Sequence, residues 1–146
     1  MDTRQLSEAL KKYDKFNGVF ARDQLRNVNF QSGGFVINTD TSSQPGEHWV
    51  AIFIDKEGLV KYLDSFGLPP MHEEILDFLD QVATRNWTYN SQPIQSVLSM
   101  SCGFFCYLYL VFRFQGLSMQ DFQDFFTNNT RINELLLIYY HDIIQL

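Results

Sequence analysis

Ser101-Cys102-Gly103-Phe104-Phe105-Cys106 opens a strongly apolar run that continues to Phe114 and stops at Gly116. That length and the glycine stop predict a helix buried in the core. Ser101 then stands at the N-cap and Cys102 in the first turn. Backbone N–H groups at a helix start are unpaired and carry partial positive charge. A thiol held there ionises more readily, and the thiolate is the nucleophile. The bland alternative is that Cys102, like Cys106, is a small buried hydrophobe. Three further polar residues bear on the choice: His48, Asp64 and Gln95, which lies seven residues before Cys102. Acyl transfer by a thiol needs a base for its proton, and histidine suits neutral pH. It needs a carboxylate to orient the imidazole. It also needs donors for the developing oxyanion, which a Gln amide and the Cys102 N–H can supply. Taken singly, His48 reads as a strand-end histidine, Asp64 as a turn former and Gln95 as a loop residue.

The elements that must position these groups follow from the flanking pattern. His48 to Ile54 is apolar and β-branched, a strand apolar enough to be central. Asp55-Lys56-Glu57-Gly58 predicts a hairpin turn, and Leu59 to Leu63 its partner strand. An antiparallel hairpin brings the start of the first strand to the end of the second, so His48 and Asp64 can meet. Upstream, Thr3 to Tyr13 predicts an amphipathic helix capped by Asp2, and Asn17-Gly18 a turn. Val19 to Asn29 is ambiguous, with Phe20 and Leu25 placed inward. Phe35 to Asn38 reads as a strand and Thr39 to Glu47 as a loop. Downstream, His72 to Thr84 predicts a helix and Trp87 to Tyr89 a strand, with Ser91 to Gln95 running on from it. Ser118 to Phe126 and Arg131 to Ile144 predict two more helices, the second capped by Thr130. The expected fold is α+β: a small central mixed or antiparallel sheet flanked by helices, the nucleophile at the N-terminus of a buried central helix. Residues 1–146 are expected to form one domain.

Composition narrows the function classes. A formal charge of −6 with no Lys or Arg run argues against a general nucleic-acid binder. Two cysteines at i, i+4 do not suggest a disulfide framework, and a reducing compartment fits. The N-terminus is polar and reads as no signal peptide, so secretion is not expected. The run from Cys102 to Phe112 is roughly half of the ~20 residues that a membrane span needs. His72 and His141 sit in no motif and read as helix-start and helix surface.

The order of the motifs goes further. Gly46-Glu47-His48-Trp49, then Tyr62-Leu63-Asp64-Ser65-Phe66-Gly67, then Gln95, then Ser101 to Cys106 resembles the adenain (adenovirus protease) family. The same His, acid, Gln, Cys order resembles the wider clan of SUMO- and ubiquitin-like-specific cysteine proteases. A fainter likeness runs upstream through Phe16-Asn17-Gly18 and Gly34 to Asn38, so the resemblance covers about residues 15–110. It implies Cys102 as nucleophile, His48 as general base and then acid, Asp64 as its orienting carboxylate, and Gln95 with the Cys102 N–H as the oxyanion hole. It implies that Trp49 packs by the histidine and narrows the cleft, favouring cleavage near glycine. Cys106 matches a family cysteine but, one turn into an apolar helix, reads as core. Asp64 stands where adenain usually has Glu, as in the ubiquitin-like-protease branch.

Adenain is basic and takes DNA and a viral peptide as cofactors. This chain is acidic and has no cysteine between Asp64 and Gln95 to tether such a peptide. No metal and no cofactor are therefore expected, and an activating peptide stays open. The expected function is a cysteine endopeptidase of a virus or virus-like mobile element, maturing capsid or core precursors in the virion or the host cell interior. The expected partners are those polypeptide precursors, or ubiquitin-like proteins, with no membrane. The alternatives are a deubiquitinating or deSUMOylating protease, an acetyltransferase of the Yop effector kind, or an inactive binding module with the same fold. No acyl-CoA or inositol phosphate site is recognisable, and all four family residues are present.

Overall fold

The computed structural model describes residues 1–28, 32–44 and 48–145, the side chain of Gln145 excepted. Gly46 and Glu47 of the histidine motif, the last residues of the loop predicted over 39–47, and Asn29 lie outside the described residues.

Among the described residues, five strands form one mixed sheet in chain order: β1 (Phe16–Ala21), β2 (Gly33–Asn38), β3 (Trp49–Ile54), β4 (Val60–Leu63) and β5 (Trp87–Tyr89). The outer pairs are parallel and the two inner pairs antiparallel. β3 is buried along its whole length. Side chains alternate faces along a strand, and the burial follows that alternation. Trp49, Ala51 and Phe53 join Val36 and Leu63 on one face, under α1 (Thr3–Leu10) and α3 (Cys102–Phe114). Val50, Ile52 and Ile54 join Phe35, Ile37 and Tyr62 on the other, under Leu25 and the Ile75, Phe78 and Leu79 face of α2 (Glu73–Val82). The sheet thus lies between two helical layers, the α+β class expected.

α3 is buried on nearly every side, with Phe104 the exposed exception in its first three turns. A helix apolar all round belongs in a core. It crosses β2 so closely that a Cβ on Gly34 would come within 2.7 Å of Leu110. α4 (Met119–Asp124) and α5 (Thr130–Gln145) close the same layer, and Phe122, Phe126 and Leu137 join its core.

Several local expectations need correction. Asn17-Gly18 is no turn: it lies inside β1, where Gly18 at φ 130° marks a register shift against β2. A bulge takes the same residues as a turn. The ambiguous stretch after it holds the rest of β1 and a 3-10 helix, Arg22–Asn27, with Leu25 buried and Phe20 half-buried. α1 ends at Leu10, short of Tyr13. Ser91 to Gln95 is loop, not a continuation of β5. Thr130 is the first residue of α5, and Asn129 caps it, Oδ1 accepting from Arg131 and Ile132 N–H.

Candidate active site

The β3–β4 hairpin does what its register demands. Ala51 pairs with Leu63, so continuing the register sets Phe66 opposite His48 and Asp64 beside them. The Phe66 ring stacks on the His48 ring, centroids 4.9 Å apart. His48 Nε2 lies 3.0 Å from Asp64 Oδ1. Asp64 is 5% exposed and held from three sides. Its Oδ1 also accepts the Phe66 N–H at 2.8 Å. Its N–H donates to Asn90 Oδ1, and Asn90 Nδ2 donates back to its carbonyl. Gly67 N–H donates to the same carbonyl.

Gly67 explains the acid-X-Phe-Gly spacing. Its φ is +75°, and a Cβ there would stand 2.7 Å from Pro93 N. Only glycine lets the chain turn this tightly under residues 92–93. The packing it permits brings Ile94 and Gln95 N–H onto the Ser65 carbonyl, fastening the Gln95 segment to the acid's turn.

Cys102 is the first residue of α3 and is buried at the site. Its thiol stands close enough to the His48 imidazole for the ring to favour the thiolate. With Nε2 turned to Asp64, Nδ1 is the ring nitrogen left for the sulfur. The Trp49 and Gly103 N–H groups lie on the same side and also favour the thiolate. The Trp49 amide is free to do so for a topological reason. The His48 carbonyl points to β2, accepting from Thr39 N–H, so Trp49 faces the β4 side, where β4 has already ended. Gly103 is needed for close approach: a Cβ would meet Met1 and Trp49 Cδ1 at 3.2 Å.

The electrostatics follow. Burial alone would raise the Cys102 thiol, but hydrogen bonds from His48, Trp49 and Gly103 and the imidazolium charge bring it below its ordinary value. Burial alone would lower His48, but Asp64 and Cys102 reverse this and raise it to about 9. Between the two values the pair exists as thiolate and imidazolium. Cys106 is wholly buried and burial pushes its thiol well up, as expected of a core cysteine.

His48, Asp64 and Cys102 are therefore gathered into one constellation. Gln95 adjoins it but is engaged otherwise. It is buried; its Oε1 accepts from Ser65 Oγ and its Nε2 donates to the Ser99 carbonyl at 3.0 Å. Trp49 packs beside Gly103, its Nε1 donating to the Met1 carbonyl. Ser101 occupies the N-cap, yet its hydroxyl caps nothing and donates to Glu134 Oε2 at 2.7 Å. His72 is more than surface, its Nδ1 lying 2.7 Å from Arg22. His141 is half-buried, edge-on to Phe104. Asn90, Ser65 and Glu134 had no sequence signal, since their roles depend on partners 26 to 33 residues away. A cavity of about 390 Å³ opens elsewhere, among Lys15, Phe53, Lys61 and Arg113, and holds none of these residues. Among the described residues no three His, Cys, Asp or Glu side chains gather as metal ligands. No described helix is long and apolar enough to cross a membrane.

No family model matches the chain. Over 40 residues it is 50% identical to a cysteine protease of African swine fever virus, a stretch that is 25% of this chain and 15% of that protein. The crystal structure of the African swine fever virus protease superposes with a TM-score of 0.66 at 20% identity, covering 93% of this chain and 64% of the other. Its selenomethionine form gives 0.64 at 19% identity, covering 94% and 66%. The central domain of an uncharacterized Legionella pneumophila protein gives 0.57 at 15% identity, covering 99% and 96%. The chain thus spans less than two thirds of the viral protease it matches, and shares its fold. The resemblance to adenain rests on the sequence motifs alone.

Proposed function

We propose that this chain is a cysteine endopeptidase of viral or virus-like mobile-element type. One observation carries the reading: the Cys102 thiol, at the mouth of α3, stands beside an imidazole whose Nε2 lies on a buried carboxylate. The likeness to a viral cysteine protease supports it.

The Cys102 thiolate attacks the scissile carbonyl carbon, and the carbonyl π-electrons move to oxygen. The oxyanion is met by the Cys102 N–H, unpaired at the helix start, and by the Gln95 amide once its bond to Ser99 opens. The His48 imidazolium then protonates the departing amine as the C–N bond breaks, leaving a thioester on Cys102. His48 next takes a proton from water, which attacks the thioester and releases the acid and the thiolate. Asp64 keeps the ring in place throughout.

The substrates proposed are capsid or core precursors cut near glycine, in the virion or host cell interior. Trp49 and Gly103 pack tightly at the site, and a narrow cleft admits small residues. A second reading, a ubiquitin-like-protein protease, is favoured by the loop before the nucleophile. Val97, Leu98 and Met100 are 84%, 86% and 92% exposed, a surface that suits a folded protein substrate.

A panel of glycine-containing peptides, ubiquitin and SUMO fluorogenic substrates and acetyl-CoA decides among these. Cleavage of peptides with silence on the folded modifiers supports the first reading, and the reverse the second. Turnover of acetyl-CoA alone would refute both.

A further inference from the structure

Serine at an N-cap ordinarily accepts a hydrogen bond from the second or third N–H of its helix. Ser118 does so for α4, its Oγ accepting from Asp121 N–H at 3.0 Å. Ser101 does not, and it lacks the extended backbone of a capping residue, with φ −90° and ψ 8°.

The reason is a chain of hydroxyls ending on a carboxylate. Ser99 Oγ donates to Ser101 Oγ at 2.7 Å, and Ser101 Oγ donates to Glu134 Oε2 at 2.7 Å. The other carboxylate oxygen, Oε1, accepts the Ser96 N–H at 3.3 Å. Glu134 is itself well placed. Its neighbour Asn133 is wholly buried, with Nδ2 donating to the Ile94 and Thr127 carbonyls and Oδ1 accepting from Thr127 N–H. α5 therefore grips the loop before the nucleophile at residues 94, 96 and 101.

We propose that Glu134 is a positioning residue: by taking the Ser101 hydroxyl it keeps the N-terminus of α3 uncapped, so that its N–H groups serve the Cys102 sulfur and the oxyanion. The inference rests on the endopeptidase reading. A capping hydroxyl would compete for the Gly103 N–H that now meets the sulfur, or for the Phe104 N–H beside it. It would spend the positive end of the helix on a neutral group. By accepting the Ser101 proton, the carboxylate fixes that side chain toward α5, so its oxygen is not turned to the helix N–H groups.

The test is the pH midpoint of Cys102 alkylation by iodoacetamide, read beside kcat and KM on a cleaved peptide. Glu134→Ala frees Ser101 to cap, and should raise the midpoint by about half a pH unit. It should lower kcat several-fold while KM stays within about twofold, because the missing donors act on the transition state. Ser101→Ala removes the competing hydroxyl and should leave the midpoint low. The double variant should return to the wild-type midpoint, a rescue that simple loop damage cannot give. Glu134→Gln, still an acceptor, should also stay near wild type. Glu134→Met substitutes for the alanine variant if that one fails to fold. An unmoved midpoint in Glu134→Ala, or a double variant as shifted as the single one, overturns the inference and leaves the endopeptidase reading standing. A wild-type midpoint at the ordinary thiol value would remove that reading and the inference with it.

Discussion

Two cysteines one helical turn apart meet opposite fates. Cys102 stands beside the His48 imidazole, which favours its thiolate, and Cys106 lies wholly buried in the core. Cys102→Ala should abolish cleavage while the circular dichroism spectrum stays native. Cys106→Ser should keep activity and lose stability, because a hydroxyl is buried in an apolar helix face. His48→Ala should reduce kcat/KM by roughly 10²- to 10⁴-fold, the usual worth of a general base, and Asp64→Asn by as much or less. The pH profile should be bell-shaped. Activity should appear as pH rises through the lowered Cys102 value and fade as it rises through about 9, where His48 loses its proton. At this scale the sequence was legible for His48, Asp64 and Cys102, because motif order and hairpin geometry converge on them. It was silent on Asn90 and Glu134: a buried polar side chain satisfied by distant backbone or loop hydroxyls leaves no local pattern. Gln95 lies beside the site as expected, but its amide is spent on Ser99.

Among the elements, the hairpin and α3 carry the site, and both were legible in the sequence. β3 reads as a central strand from its composition, and Gly58 at φ +80° closes the turn to β4. One edge of the sheet, β5, was legible, and the other, β1, was not. β1 was obscured because Asn17-Gly18 reads as a turn locally, and only pairing with β2 turns it into a bulge. The same dependence on context hides the Ser101 hydroxyl, which abandons its cap for Glu134. The turn after β4 makes a prediction of its own. Gly67→Ala forces a non-glycine residue to φ +75° against Pro93. Thermal unfolding should show a loss of about 1–3 kcal/mol. Because that turn fastens Gln95 beside Asp64, kcat should fall with it even in the fraction that remains folded.

For the whole molecule, the sheet between two helical layers is also the fold of the viral and bacterial structures it superposes on. What the layers accomplish here is burial of an imidazole and a carboxylate that would be far weaker partners in water. That burial links stability to pH. His48 has a folded value raised from 6.5 to about 9. Its contribution is therefore complete below pH 6.5 and is lost as pH rises through about 9. The wild type should lose melting temperature between about pH 6.5 and 9 relative to His48→Ala, the comparison that isolates this group.

The most direct measurement is a short iodoacetamide pulse at pH 7, followed by peptide mapping of the wild type and of His48→Ala. The wild type should carry its label on Cys102, with Cys106 protected, and His48→Ala should label Cys102 at least about tenfold more slowly. Equal, slow labelling of Cys102 in both proteins, or labelling of Cys106 first, would contradict the paired thiolate on which the proposed chemistry depends.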